Sequence, residues 1–179
     1  MGLRKALAYS KKNARPYTRN SRRKNKSYIK TVPFSKIVKF NGGDLKGYNE
    51  KKHTYEVILK SEEWVQIRDN ALEACRMLIT KQMDTNALGQ YYLEVKAHPH
   101  HFLRENKSAA AVAGADRIST GMTQSFGVVV GRAAIVPAQK VIFFISCANE
   151  KAARVARDAL LMTEPKLACK TRVIFSKVR

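Results

Sequence analysis

The spacing of apolar and polar side chains divides most of this chain into strands and helices. Strand-like patterns, several with the period of two typical of half-buried strands, run over residues 34–40, 55–60, 91–96, 126–136, 139–147 and 171–176. Two other segments repeat apolar residues at steps of three and four, as amphipathic helices do. One helix is predicted from an N-cap at Ser61 through Met83, and a second over residues 150–162 behind Asn149.

Turn and loop signals separate these elements. Residues 41–44 (Asn-Gly-Gly-Asp) predict a turn, and the polar stretch through Lys52 predicts a loop. Pro99 predicts a sheet edge or bulge because proline cannot donate to a strand ladder. The order of strands and helices lacks strict alternation. It therefore predicts an α+β fold, with a mostly antiparallel sheet and two helices packed on one face.

Residues 104–127, here called the long loop, fit neither period. Between Lys107 and Asp116 the only sizeable apolar side chain is Val112, so this run cannot bury enough surface to offset the entropy of ordering. Loops of this length inside a domain are uncommon and usually functional. The composition fits a flexible, slim, basic segment able to reach into folded RNA, and it also fits a solvated surface loop.

Charge is the strongest compositional signal. The 179 residues include 34 Lys and Arg against 14 Asp and Glu, a formal net charge of +20. Residues 1–30, here called the basic tail, contain 11 of these cations and no acid. Basic groups bind phosphates and Tyr rings stack on unpaired bases, so the tail predicts nucleic-acid binding; a targeting or membrane-surface segment is the alternative. Residues 31–179 are predicted to form one domain that folds without the tail.

Other classes of chemistry find little support. Cys75, Cys147 and Cys169 are odd in number and widely spaced, which favours buried free thiols in a reducing compartment over disulfides or zinc. His98, His100 and His101 lack the further ligands of a metal site, and surface or RNA-facing roles are the better interpretation. No catalytic grouping, signal peptide or run of about 20 apolar residues is visible. We therefore expect no enzyme, cofactor, small-molecule substrate or membrane partner.

Several motifs, taken together, resemble one family, ribosomal protein L-ten-e of archaea and eukaryotes, within the universal large-subunit protein sixteen family. Their residues are 1–6 (MGLRKA), 15–19 (RPYTR), 66–74 (QIRDNALEA), 102–106 (FLREN), 113–117 (AGADR), 120–122 (TGM) and 125–127 (SFG). The resemblance covers nearly the whole chain, and the residues of these motifs are closer to those of archaeal members than to those of eukaryotic members.

The resemblance implies a cytoplasmic protein of the large ribosomal subunit, in contact with large-subunit ribosomal RNA and neighbouring ribosomal proteins. It also implies that residues 107–124 point toward the peptidyl-transferase centre, near A-site transfer RNA. The residues expected near that transfer RNA are Ser108, Gly114, Ala115, Asp116, Arg117 and Gly121. An RNA-binding or RNA-modifying protein outside the ribosome is the alternative.

Charge, ring stacking and the resemblance together nominate RNA-binding residues in the tail, the body and the long loop. They are Arg4, Lys5, Lys11, Lys12, Arg15, Tyr17, Arg19, Arg22, Arg23, Lys24, Lys26, Lys30, Lys96, His98, His101, Arg104, Lys107, Arg117 and Arg132. Two features depart from the family pattern. Thr123 and Gln124 follow Met122 where members usually have Arg, and residues 21–26 (SRRKNK) add an extra basic stretch.

Overall fold

Eight strands and three helices form the part of the chain that the computed structural model describes, residues 5–10, 29, 31–105 and 127–178. In chain order they are β1 Asn41–Gly43, α1 Leu45–Asn49, β2 Tyr55–Ser61, β3 Val65–Arg68, α2 Asp69–Asn86, β4 Tyr91–Val95, β5 His101–Glu105, β6 Val128–Val136, β7 Val141–Cys147, α3 Glu150–Leu161 and β8 Thr171–Lys177. A short 3₁₀ turn spans Glu164–Lys166. The predicted α+β class is confirmed.

The larger sheet has five strands in the order β1-β4-β7-β2-β8, and every neighbouring pair is antiparallel. Strand β7 pairs on both edges, with Ile145 opposite Val57 of β2 and Leu93 of β4. These three side chains are buried, as the alternation along β2 and β4 predicts. The register therefore aligns one apolar face across the middle of the sheet.

Helices α2 and α3 cover that apolar face. Leu72, Ile79 and Met83 of α2 are fully buried in the same core as the sheet residues. Helix α3 contributes Ala152 and Ala156, whose small side chains let it pack closely against the sheet and α2. The two long helices thus occupy one face of the sheet, as predicted.

Two of the three cysteines lie inside this core. Cys75 and Cys147 are buried, Cys169 is half-buried, and all three are free thiols. Burial raises the thiol pKa of Cys75 and of Cys147 to about 12 because the thiolate would lose its hydration. They act as small apolar side chains, which confirms the prediction of free thiols.

The smaller sheet has three antiparallel strands in the order β3-β6-β5. The apolar pattern does not predict β3, because Ile67 and its neighbours also fit the helical period that runs back to Ser61. Residues 65–68 instead pair with residues 133–136 of β6. Ser61 remains in β2 and its hydroxyl donates to the Glu63 carbonyl at 2.6 Å, so the predicted cap is wrong and α2 begins at Asp69.

Predictions for the entry into the body are also wrong. Residues 34–40 form no strand, and the predicted turn contains β1, where Gly43 has a φ of +86°. A Cβ at Gly43 would lie 2.2 Å from the Tyr91 carbonyl oxygen, so the close strand pairing requires glycine there. The predicted loop contains α1, whose N-cap Asp44 accepts a hydrogen bond from the Gly47 amide at 2.9 Å.

The described parts of the basic tail contact the body. Ile29 is buried, with 2% of its surface exposed. The Gln66 amide donates to the Ser10 carbonyl at 3.3 Å, and an Arg68 guanidinium nitrogen donates to the Lys5 carbonyl at 2.9 Å. The body therefore gains packing from residues before position 31. The other residues of the tail lie outside the described residues.

The core assignment predicts the cost of truncating α2. Replacement of Leu72 by Ala should lower the free energy of unfolding by ~2–5 kcal/mol, because it leaves a cavity at a fully buried site. Met77, on the same helix but 56% exposed, provides the matched control, and Met77→Ala should change stability by less than about 0.5 kcal/mol. Urea denaturation measures both. Equal losses would show that the core is assigned to the wrong face of α2.

Candidate nucleic-acid interface

The smaller sheet holds both ends of the long loop. Glu105, the last residue of β5, pairs with Val128, the first residue of β6, and Arg104 pairs with Val129. A bulge between Leu103 and Arg104 shifts the register of the β5–β6 ladder just before these two pairs. The loop therefore leaves and re-enters the body at adjacent positions of one ladder. Residues 106–126, including the nominated Lys107, Ser108, Gly114, Ala115, Asp116, Arg117 and Gly121, lie outside the described residues.

Arg104 stands at the root of this loop. Its side chain is half-buried, and burial lowers the pKa of the guanidinium from its ordinary value. Because guanidinium groups stay charged even so, the root carries a partly desolvated cation. Such a cation interacts with an anionic partner more strongly than a fully hydrated one does. This position fits the nomination of Arg104.

Arg132 is engaged inside the protein. Its Nε donates to the Pro33 carbonyl at 2.7 Å, and its guanidinium lies 5.4 Å from the centre of the Phe102 ring on the neighbouring strand. These contacts fix the segment before β1 against the smaller sheet. Arg132 thus has a structural role that its charge alone does not indicate.

The other nominated body residues differ in exposure. Lys96 and His98 are exposed, alternating with buried Ala97 and Pro99. Lys96 pairs with Glu94 at 2.6 Å, and the His98 ring stacks on Phe40 with 5.2 Å between centroids. Lys96 and His98 therefore border one exposed edge after β4.

His101 differs from these two because its side chain is buried in β5. Burial lowers the pKa of its imidazole, and the neighbouring His100 lowers it further. A buried, neutral imidazole is poorly suited to a phosphate contact. No local sequence signal indicates this burial, because His101, Phe102 and Leu103 are buried in succession without a period of two.

Lys5 is the described nominee from the basic tail. Its side chain is exposed, and its carbonyl holds Arg68 of β3. The neighbouring Gln66 side chain donates to the Tyr9 carbonyl at 2.6 Å, so residues 5–10 rest on the smaller sheet. The remaining tail nominees lie outside the described residues: Arg4, Lys11, Lys12, Arg15, Tyr17, Arg19, Arg22, Arg23, Lys24, Lys26 and Lys30.

An aromatic layer on the second face of the larger sheet is not predicted from the sequence. Tyr48 of α1 stacks on Tyr92 at 4.6 Å between centroids and meets the edge of Phe144 at 5.9 Å. Next to it a cavity of about 580 Å³ is lined partly by His53 and Glu56. The signal for this face is the alternation of β4, but the polar composition of α1 favours a loop.

Many carboxylates of the body are paired with internal donors. Glu73 binds Arg76 through two hydrogen bonds of 2.8 and 2.6 Å, which lowers the pKa of that carboxyl. Asp69 accepts from the Lys36 and Asn70 amides, and burial raises its pKa. Exposed cations such as Lys39 and Arg172 therefore dominate the surface of the described residues.

The described residues contain no grouping of His, Cys, Asp and Glu that could hold a metal ion. None of the helices described here combines the length and the apolar character needed to cross a membrane.

Fold and charge define the class of the molecule as a basic α+β protein with a small sheet that carries a long loop. The chain belongs to the ribosomal protein L16p/L10e family, whose model matches residues 14–174. The resemblance noted from the sequence motifs is confirmed.

Relatives from three archaea cover most of the chain. The protein from Staphylothermus marinus is 37% identical over 180 aligned positions, covering 100% of this chain and 97% of the relative. The protein from Methanosphaerula palustris is 41% identical over 155 positions, 86% of each chain. That from Thermoplasma acidophilum is 38% identical over 178 positions, 99% of this chain and 94% of the relative. Each is named large ribosomal subunit protein uL16.

Burial of His101 predicts a pH dependence. Because the pKa of His101 is lowered in the folded state, its contribution to stability is present above the unfolded value of about 6.5 and is lost as the pH falls below it. Replacement by Gln should therefore shrink the stability difference between pH 7 and pH 5. Urea denaturation at both pH values measures it, with Leu72→Ala as the control that loses equal stability at each. An undiminished difference in His101→Gln would contradict the assignment.

Proposed function

We propose that this chain is a structural constituent of the large ribosomal subunit, where it binds large-subunit ribosomal RNA and supports A-site transfer RNA during translation. The observation that carries the proposal is membership in the L16p/L10e family over residues 14–174. That match includes most of the basic tail, the body and the long loop. The proposal locates the protein in the cytoplasm, among neighbouring ribosomal proteins and without a cofactor.

Charge supports the RNA part of the proposal. The body alone, residues 31–179, carries 23 Lys and Arg against 14 acids. Several of those acids are paired internally, Glu73 with Arg76 and Glu150 with Arg154 among them. The tail adds 11 cations without an acid. Phosphates neutralise such an excess and release counterions from the RNA, which drives binding.

The ladder at the root of the long loop supports the transfer-RNA part. Pairing of Glu105 with Val128 fixes where the loop leaves the body. Between Lys107 and Asp116 the loop has one sizeable apolar side chain, Val112, so an apolar core cannot order this run and a partner would have to do so. We infer that the body docks on ribosomal RNA and presents the loop to the bound transfer RNA.

The second candidate is an RNA-binding or RNA-modifying protein that acts outside the ribosome. The same tail charge supports it, but no described cavity brings together the nucleophile, base and orienting group that an enzyme needs. The cavity beside His53 and Glu56 has several polar residues in its lining, yet His53 lies 4.0 Å from the Asp44 carboxylate, too far for a hydrogen bond. We therefore favour the ribosomal role.

A single reconstitution experiment tests the role and the division between docking and support. The wild-type chain should co-sediment with large subunits in high-salt gradients. A variant with residues 108–120 replaced by a short Gly-Ser linker should co-sediment equally, because the basic tail and the body are unchanged, and should slow peptide synthesis on those particles. A linker of unchanged length through the same residues is the matched control for loop reach.

The outcomes separate the claims. Failure of the wild-type chain to sediment with large subunits would contradict the ribosomal role and favour the second candidate. Failure of the shortened variant alone would make the loop an anchor. Normal synthesis by particles that contain the shortened variant would leave it a solvated loop.

The basic tail is predicted to contribute mainly through phosphate contacts. Replacing Arg22, Arg23, Lys24 and Lys26 by Gln should lower RNA affinity and flatten its salt dependence, by about 0.7–0.9 in the log–log slope for each phosphate that the variant leaves without a cation. Filter binding to large-subunit ribosomal RNA over a salt series measures the slope. A second variant controls for the general loss of positive charge. It replaces four exposed cations of the body by Gln, namely Lys81, Lys140, Lys166 and Lys170. An unchanged slope in the tail variant would exclude these contacts.

A further inference from the structure

Residues 31–40 cross the surface without regular secondary structure but are held at several points. The Pro33 carbonyl accepts from Arg132 Nε at 2.7 Å, and the Lys36 amide donates to Asp69 Oδ2 at 3.0 Å. The Ile37 side chain is buried with 5% exposure. The backbone on both sides of Phe34 is therefore fixed by buried or half-buried groups.

Phe34 itself is 94% exposed. Single exposed apolar residues are common on soluble proteins. Phe34, however, lies one residue after the anchored Pro33 and two before the anchored Lys36, and Val38 in the same segment is 75% exposed. The segment thus presents a large aromatic side chain from a pre-organised backbone, which reduces the entropy lost when a partner binds.

The charges of the segment decide what kind of partner fits. Lys36 and Lys39 are exposed, and residues 29–40 contain no acid. The acids that contact the segment already have other partners. Asp69 is buried and accepts two backbone amides, and Glu73 is bound to Arg76. A ring that lies close in sequence to two exposed cations suits an unpaired base flanked by phosphates, and it suits an apolar protein pocket poorly.

We propose that Phe34 stacks on an unpaired base of large-subunit ribosomal RNA, with Lys36 and Lys39 beside the neighbouring phosphates. This inference rests on the proposed ribosomal function and adds a base-stacking contact on the body to it. In this proposal Arg132 contributes to RNA binding indirectly. Its hydrogen bond to the Pro33 carbonyl positions the backbone before Phe34, and Arg132 itself does not contact phosphate.

The test compares full-length variants for binding to large-subunit ribosomal RNA over a salt series. Phe34→Ala should weaken binding by about 5- to 150-fold, the range that corresponds to ~1–3 kcal/mol for one stacked base. Its log–log salt slope should equal that of the wild type, since stacking releases no counterions. Lys39→Gln should instead flatten the slope by about 0.7–0.9. Equal affinity of Phe34→Ala and wild type would overturn the inference.

Rescue variants identify the partner. Phe34→Trp should bind as the wild type does and should protect the same unpaired base from chemical modification, whereas Phe34→Leu should behave like Phe34→Ala. Full rescue by Leu without base protection would show an apolar protein pocket and overturn the inference. If the wild-type chain itself shows no salt-dependent RNA binding, the proposed function fails, and that outcome is distinct from a neutral Phe34 variant.

Thermal melts of the free variants complete the test. Phe34→Ala should melt with the wild type, because its ring is exposed, and Ile37→Ala three residues away should melt lower because its side chain is buried. A lowered melting temperature for Phe34→Ala would mean that another part of the chain covers the ring, and it would overturn the inference.

Discussion

The pairing of β7 with strands on both of its edges is the constraint on which the remaining architecture depends. Val57, Ile145 and Leu93 lie side by side across three strands, and a slip of one residue would turn each apolar side chain to the opposite face. Helices α2 and α3 have their apolar stripes covered only while that register holds. The same register brings Tyr92 to the second face, where α1 packs against it.

Electrostatics impose a second constraint, because a chain of net charge +20 repels itself. The body limits this cost by placing its few carboxylates where they bind internal donors, as Asp69 and Glu73 do. That arrangement stabilises the fold locally and leaves the remaining cations exposed. The local stability of the body and its excess of exposed positive charge are therefore two results of one distribution of acids.

The sequence predicts those elements whose pattern is set by local burial. The alternation through β2 and the stripe of α2 from Leu72 to Met83 agree with the structure. The start of α2 could not be predicted, because Ile67 fits both periods and only its distant partner strand β6 selects the extended form. Helix α1 depends on Tyr48 stacking against Tyr92, a contact between residues far apart in the chain.

The candidate interface divides in the same way. Sequence reasoning nominates Arg132 and His101, but the contacts of Arg132 with Pro33 and Phe102 and the burial of His101 come from tertiary structure. Phe34 could not be singled out because an aromatic residue in an apparent strand pattern predicts burial, whereas the segment forms no ladder. Exposure of this kind is a property of the fold and has no local sequence signal.

The closed ladder at the root of the long loop separates the length of the loop from the stability of the body. With Glu105 and Val128 paired, each doubling of the connecting chain costs only about 0.6 kcal/mol in closure entropy. The 22 residues from 106 to 127 allow an out-and-back reach of at most about 36–40 Å. Folding thus exerts almost no selection on that reach, and the length of the loop can vary without a large change in the stability of the body.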